Sequence, residues 1–488
     1  MSVTGPTARK LSGAYYTPDT VVRALVSWAT HSPAERMLDP SCGDGRFIAA
    51  HSNSVGVEQD PDAALVASKM APSAVVHQKD FFTWAETTPE RFDCAAGNPP
   101  FIRYQSFAGD QRRRALSLCR NLGADFNGLT SSWAPFIVAV TGLLKLDGRM
   151  AFVVPAEIGH APYAAPVLEH LVSCFRRVQI VAVRDKLFPE LSEDCWLLYA
   201  EGHGGTAREI EFTVCDSFQP GSAPPKSSSR IPVGDWRKIW NRRLRPFLMP
   251  ENARNLYQLM SVDDGSFRLR EAATVGIGYV SGANDFFHLR PSDARNLGIS
   301  DDHLMPSVRN GRALSASELT EDDVKSWRDA DLPVLLLRLQ KGAVPPPAVA
   351  RYLDSSDGFE ARKAFKCRSR EPWWSVPDVR VPDYFLSYMS GVAPNLVRNS
   401  AGVSCTNSVH AVRATDHDRM TRASALWTSP FVRLSCEVEG HPLGGGMLKL
   451  EVREAGRVLL PSQEIQSLVD ADTVNDALLT MRLWRHCA

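Results

Sequence analysis

The segment Gly97-Asn98-Pro99-Pro100-Phe101 carries the most distinctive chemistry in this chain. Two consecutive prolines remove backbone donors and fix φ, so the segment is stiff and extended. The carboxamide oxygen of Asn98 and the carbonyl of Pro99 can then point the same way, as paired acceptors for the two hydrogens of one amino group. An aromatic amine is the group that needs such a pair, because its lone pair is delocalised into the ring. Drawing the nitrogen toward tetrahedral geometry localises that pair for attack on an electrophilic methyl, a step carried by positioning and electrostatics. The cation formed is acidic, so no strong general base is required, and none is visible nearby. Phe101 offers a flat face on which a base can stack. Taken alone, the pentapeptide is also compatible with a plain rigid turn.

A second constellation lies upstream. Met37-Leu38 runs into Asp39-Pro40-Ser41-Cys42-Gly43-Asp44-Gly45-Arg46-Phe47. A glycine-rich turn after a first strand lets backbone approach a ligand at the carboxyl end of a sheet. The third glycine of the dinucleotide fingerprint is missing, so this turn by itself is weak evidence. Glu58 ends the next expected strand, 19 residues after Asp39, about where a carboxylate grips ribose hydroxyls. Asp80-Phe81-Phe82 follows the third strand, where an acid and an aromatic can hold an adenine ring. Helix capping, solvated charge or core packing would explain any one of these. Three carboxylates ending three successive strands point together to a cofactor site.

These residues need a sheet to bring them to one edge. Short β-branched runs at 36–38, 54–57, 74–77, 92–96, 149–154, 179–184 and 195–200 alternate with helical patterns at 61–70, 131–145 and 163–174. Such alternation predicts an α/β fold with a doubly wound, mostly parallel, seven-stranded sheet. The last two runs lack a helix between them and are expected to form an antiparallel edge. Ahead of the sheet, Thr17 is read as the cap and Pro18 as the first residue of a helix whose apolar face is Val21, Val22, Leu25, Val26 and Ala29. Residues 219–230, rich in Pro, Gly and Ser, are expected to link a catalytic domain, 1–218, to a second domain of mixed α+β character, 231–488.

Composition narrows the class. At 488 residues the chain exceeds one ordinary domain, and 44% hydrophobic with 23% charged residues is globular. Lys plus Arg equals Asp plus Glu at 55 each, so any basic surface must be local. No apolar run has membrane-spanning length, and residues 1–10 lack the apolar core of a signal peptide, which leads us to expect a cytoplasmic protein. The ten cysteines form no C-x-x-C pair, so no structural metal is expected.

Taken in order, Gly13-Ala-Tyr-Tyr-Thr-Pro18, the turn from Asp39 to Phe47, Glu58, Asp80-Phe81 and Asn98-Pro-Pro-Phe101 resemble the gamma-type adenine-N6 DNA methyltransferases of bacterial restriction–modification systems. The resemblance spans residues 11 to about 200. It implies S-adenosyl-L-methionine as cofactor and transfer of its methyl to a flipped adenine. It places Tyr16, Thr17 and Pro18 over the methionine end of the cofactor and Asp39, Ser41, Gly43 and Gly45 in the cofactor turn. Glu58 falls on the ribose and Asp80 with Phe81 on the adenine. Asn98, Pro99, Pro100 and Phe101 become the catalytic motif, with Asn98 also beside the cofactor. The family usually has Tyr where Phe101 stands, so the stacking face is kept and a hydroxyl lost. Phe188 falls where the family places a second aromatic against the flipped base; a core phenylalanine fits that position nearly as well.

Adenine's amino group is buried in a stacked, paired duplex, so the base must be flipped or taken from a single strand, and a separate surface is expected to hold double-stranded DNA. Arg112 and Arg113 follow the catalytic motif. Residues 236–245 interleave basic residues, including Arg242 and Arg243, with two tryptophans, and Lys366, Arg368 and Arg370 precede Trp373. These are the candidate DNA contacts, each segment being equally compatible with a solvated charged face. Residues 276–287 and 370–374 resemble, more loosely, the specificity domain of many gamma-type enzymes, which implies a defined target sequence and admits a cognate restriction endonuclease as partner. Methylation of a protein glutamine or of RNA adenine, and a DNA-binding module without activity, are the competing readings. No convincing carboxylate–lysine set of a fused nuclease is visible.

Overall fold

The computed structural model describes residues 16–487 apart from Ser192, Lys341 and Val469. Gly13, Ala14 and Tyr15, and the terminus read above for a signal peptide, lie outside the described residues.

The chain divides between Met249 and Pro250 into two compact units. In the first, helix α1 (Asp19–Ala29) precedes strand β1 (Met37–Asp39), the short helix α2 (Arg46–Ala49) and strand β2 (Ser54–Glu58). Helix α3 (Pro61–Met70), β3 (Val75–Gln78), α4 (Phe81–Thr87) and β4 (Phe92–Gly97) follow. Then come α5 (Gly109–Asn121), α6 (Trp133–Thr141), β5 (Leu144–Pro155), α7 (Ala165–Cys174) and β6 (Phe175–Val183). The unit continues with β7 (Cys195–His203), β8 (Glu209–Cys215) and β9 (Ser229–Pro232).

These strands make one sheet in the order β3-β2-β1-β4-β5-β7-β6-β8-β9. The strands from β3 to β5 are parallel, and β7 inserts antiparallel to both β5 and β6. The α/β architecture is as expected, but the seven strands become nine among the described residues. The antiparallel pair is interior, because β8 adds parallel to β6 and β9 closes the sheet antiparallel to β8.

The same pairing corrects the expected domain boundary. The linker expected at 219–230 returns into the first unit: Arg230 pairs with Glu211, and the Pro225 carbonyl accepts from Gln179 Nε2 at 2.8 Å. Its Pro, Gly and Ser content reflects a lack of local periodicity, not an independent tether.

Packing fixes the helix that precedes the sheet. Val21, Val22, Leu25, Val26 and Ala29 of α1 bury against Cys94 and Ala96 of β4 and Ala151 and Val153 of β5. The small side chains of β4 let the helix approach closely. Each fully buried Val or Leu contributes roughly 1.5–3 kcal/mol. Pro18, with φ −55°, is itself the residue before the helix, so Thr17 does not cap it.

The second unit is mixed α+β. A five-stranded sheet runs in the order Ala273–Ile277, Val409–Ala414, Tyr384–Ser387, Leu396–Asn399, Glu318–Leu319, beside smaller sheets and ribbons. Helices Pro430–Glu439 and Ala471–Leu483 lead to a buried ion pair in which Arg485 Nη2 lies 2.8 Å from Glu437 Oε1. No described helix is long and apolar enough to cross a membrane.

Candidate active site

Strands β1, β2 and β4 end side by side, and their ends deliver Asp39, Glu58 and Asn98 to one edge of the sheet. Asp39 is 1% exposed, and its Oδ1 accepts from the Ser41 N–H at 3.1 Å. Burial, reinforced by the nearby charges of Glu58 and Asp44, pushes its carboxyl up to about 8. Glu58 Oε2 accepts from the Gly43 N–H at 3.0 Å, which ties the second strand's acid to the glycine turn. Its other oxygen accepts from the Asp60 N–H at 2.8 Å.

The turn itself depends on its glycines. Gly43 and Gly45 have φ of +52° and +91°, in the left-handed region that favours glycine. A Cβ on Gly45 would stand 2.8 Å from Ala67 Cα, whereas one on Gly43 would meet open space. Ser41 Oγ is buried without a hydrogen-bond partner. An open face over Gly43, an unpaired hydroxyl and two fixed carboxylates fit a ligand rich in hydroxyl and amino groups, as S-adenosylmethionine is.

Asp80 occupies the cap position of α4, its Oδ1 accepting from the Thr83 N–H at 2.9 Å. Its second oxygen accepts from Gln111 Nε2 at 2.7 Å, and the same amide reaches Gln59 Oε1 at 3.1 Å. Gln111 is thus a site residue that the sequence did not advertise, since it lies on a helix far along the chain. The Phe81 ring, expected beside an adenine, is a core group instead: it is 3% exposed and stacks on Phe136 at 5.1 Å with an interplanar angle of 13°.

At the end of β4, Asn98 Nδ2 donates to Thr17 Oγ1 at 3.1 Å, while Asn98 Oδ1 is buried with no hydrogen-bond partner. An unpaired buried acceptor costs about 1–3 kcal/mol, a cost relieved when a donor arrives. The next turn is pinned from α6. Ser132 Oγ donates to the Pro100 carbonyl and accepts from the Ile102 N–H at 2.9 Å, and the Ser132 N–H donates to the Ile102 carbonyl at 2.9 Å. Ser132 was also invisible in the sequence.

Phe101 is half-buried against the same apolar cluster that contains Phe188. An Arg103–Glu193 ion pair at 2.8 Å joins the two loops that carry these rings. Tyr16 is exposed, its ring centroid 5.2 Å from the Arg46 guanidinium.

The candidate DNA contacts separate clearly. Arg113 is exposed and pairs with Asp110, and Arg112 donates to the Gly128 carbonyl. In the 236–245 segment, Trp236 and Trp240 are core residues and Arg243 is 4% exposed, so Arg243 is withdrawn from any phosphate. Arg242 pairs with Glu169 at 2.7 Å, and the segment belongs to the first unit. Lys366 and Arg368 are exposed around the Phe365 ring. Arg370 is not a surface contact: it donates to the Ser281 carbonyl at 2.8 Å and to the Val280 carbonyl. Trp373 packs against Phe286 and Phe287. The segments 276–287 and 370–374, read separately above, therefore form one structural knot within the second unit.

Comparison with known proteins places this geometry in a family. Residues 241–485 match the model for the C-terminal domain of type II methyltransferase M.Eco57I, and residues 1–69 match that of N-6 DNA methylase. Type II methyltransferase M.XamI of Xanthomonas campestris pv. amaranthicola is 25% identical over 480 residues, covering 93% of this chain and 86% of the relative. Type II methyltransferase M.AccI of Acinetobacter calcoaceticus is 19% identical over 427 residues, 83% and 76% of the two chains. The type IIL restriction-modification enzyme MmeI, solved in complex with DNA, shares the fold with a TM-score of 0.53 at 12% identity, over 96% of this chain and 70% of that one. With the M.Eco57I model covering half of its length, the chain belongs to that type II methyltransferase family and is an adenine-specific N6 DNA methyltransferase, of the class that uses S-adenosylmethionine.

Proposed function

We propose that this enzyme extrudes a target adenine from duplex DNA and methylates its exocyclic nitrogen directly, as the modification activity of a restriction–modification or defence system in the cytoplasm. The observation that carries this reading is the buried, unpartnered Asn98 Oδ1 at the end of β4, beside Asp39 and the glycine turn. When bound, S-adenosylmethionine supplies an electrophilic methyl group on a sulfonium.

The chain's own residues do the rest. Asn98 Oδ1 and the Pro99 carbonyl accept the two amino hydrogens, so the nitrogen's lone pair is no longer shared with the ring and faces the methyl. As the new C–N bond forms and the C–S bond breaks, the nitrogen becomes cationic and then loses one proton to water. No side chain has to be a strong base. Phe101 and Phe188 offer apolar faces to the extruded base, with stacking worth roughly 1–3 kcal/mol. Because Asn98 Oδ1 is shielded from water, base entry requires a local opening around it.

Asp39, Ser41, Gly43, Gly45 and Glu58 hold the cofactor's polar groups, Asp80 its adenine, and Tyr16, Thr17 and Pro18 close over the methionine end. Residues 250–488 supply the target-recognition surface, with Lys366 and Arg368 against phosphates, and Arg112 and Arg113 adding contacts from α5. A cognate endonuclease would cut the same sequence when unmodified.

The test is methyl transfer from labelled S-adenosylmethionine to duplex DNA, RNA and protein extract. Incorporation into duplex DNA as N6-methyladenine supports the reading. Label confined to RNA or to protein glutamine replaces it.

A further inference from the structure

We infer that Thr17 is a positioning residue for the methyl-transfer step: its hydroxyl holds the Asn98 side chain in place at the end of β4, and Arg46 fixes where Thr17 stands. The inference rests on the reading of Asn98 as the acceptor for the target amine. It goes further by giving the 16–19 segment a duty in chemistry as well as in holding the cofactor.

The Asn98 carboxamide is held by Thr17 Oγ1, 3.1 Å from Nδ2. Thr17 is 3% exposed, so water does not compete for that bond. With Nδ2 held there, Oδ1 is left as the unpaired acceptor. The hydroxyl, which can accept or donate, therefore fixes where the Asn98 side chain stands.

Thr17 is held in turn. Arg46, the first residue of α2, donates from Nη1 to the Thr17 carbonyl at 3.3 Å and to Asp19 Oδ1 at 3.2 Å, and from Nε to Asp44 Oδ2 at 2.7 Å. Its guanidinium also lies against the Tyr16 ring. Behind this, Val21 and Val22 anchor α1 in the core. The glycine turn, the 16–19 segment and the catalytic amide thus form one hydrogen-bonded chain, in which a shift at Arg46 is delivered to Asn98.

The test compares the wild-type full-length enzyme with Thr17→Val, which keeps the shape and loses the hydroxyl, and Thr17→Ser, which keeps the hydroxyl. Three quantities are measured: affinity for S-adenosylhomocysteine by calorimetry, single-turnover methylation of duplex DNA at saturating cofactor, and hydrogen exchange of the Asn98 side-chain amide in asparagine-labelled protein. We expect Thr17→Val to methylate about 10- to 100-fold more slowly than wild type even at saturating cofactor, whatever its affinity for S-adenosylhomocysteine, as misplacement of a reacting group does. Thr17→Ser recovers most of that rate. The Asn98 amide exchanges slowly in wild type and Thr17→Ser, and fast in Thr17→Val.

A Thr17→Val rate equal to wild type, a loss seen only in cofactor affinity, or a Thr17→Ser enzyme as slow as Thr17→Val would overturn the inference. Should Thr17→Val fail to fold, Thr17→Ala takes its place in all three measurements. A wild-type enzyme inactive on DNA would sink the functional reading instead, and the exchange measurement would still decide whether Thr17 holds the amide.

Discussion

Gly97 and Asp39 approach so closely across β4 and β1 that a Cβ on Gly97 would stand 2.7 Å from Asp39 Oδ1 and 3.2 Å from the Phe152 ring. The glycine that precedes Asn98 is therefore also the space into which the first strand's carboxylate fits. Gly97→Ala forces one of them to move. It should destabilise the enzyme by roughly 1–3 kcal/mol, as overpacking of a tight core does, and weaken cofactor binding by displacing Asp39. Thermal unfolding and calorimetry with S-adenosylhomocysteine check both; unchanged values would mean that the sheet has slack at this point.

Asp39 also makes stability depend on pH. Burial raises its carboxyl to about 8, above an unfolded value near 4. A raised carboxyl binds its proton more tightly in the folded state, so its contribution is complete at low pH and lost as pH climbs from about 4 through about 8. The slope is at most about 1.4 kcal/mol per pH unit. Asp39→Asn should flatten this part of the cofactor-free stability profile, measured by urea unfolding at several pH values. A profile identical to wild type would place the titration elsewhere.

What could be read from the sequence follows from where each signal resides. Asp39, Glu58, Asp80 and Asn98 stand at or just beyond strand ends, and a strand followed by a polar residue is a local pattern, so they were legible. Gln111, Ser132 and Arg46 act through partners 31, 32 and 29 residues away on other elements. No local rule links them. Gly56 was missed for the same reason: a Cβ there would meet Cys42 Sγ at 2.7 Å, a contact made only when β2 lies against the turn. The error at 236–245 has a different origin. Alternating Trp and Arg specify composition but not direction, and here both tryptophans and Arg243 turn inward. The expected linker failed because a strand as short as β9 is fixed by its partner β8 and not by its own residues.

In the second unit, exposure separates two roles that composition merged. Lys366→Gln and Arg368→Gln should weaken duplex binding at every sequence and lower the salt slope by about one for each phosphate left without its cation. Arg370→Gln should instead lower stability by about 1–3 kcal/mol, because the carbonyls of Val280 and Ser281 lose their donor. Binding measured across a salt series, alongside thermal unfolding, distinguishes the two. An unchanged salt slope in the Lys366 and Arg368 variants would remove that surface from the DNA interface.

The buried pair near the end of the chain yields a stability prediction. Arg485 is 1% exposed and also donates to the Gly391, Val392 and Gly446 carbonyls. Glu437→Met leaves its cation without the carboxylate, and should cost about 3–5 kcal/mol. The double substitution Glu437→Met with Arg485→Met should cost less than the sum of the two single changes. Urea unfolding of the four proteins closes the cycle, and simple additivity would deny the coupling.

In the proposed function, methyl transfer turns on Asn98. Single-turnover methylation of duplex DNA by Asn98→Ala, with cofactor affinity measured on the same preparation, tests this most directly. Removing one acceptor from the developing charge should slow transfer on the order of 100- to 1000-fold while S-adenosylhomocysteine binding stays close to wild type. Transfer at the wild-type rate would contradict the role assigned to its buried, unpaired oxygen.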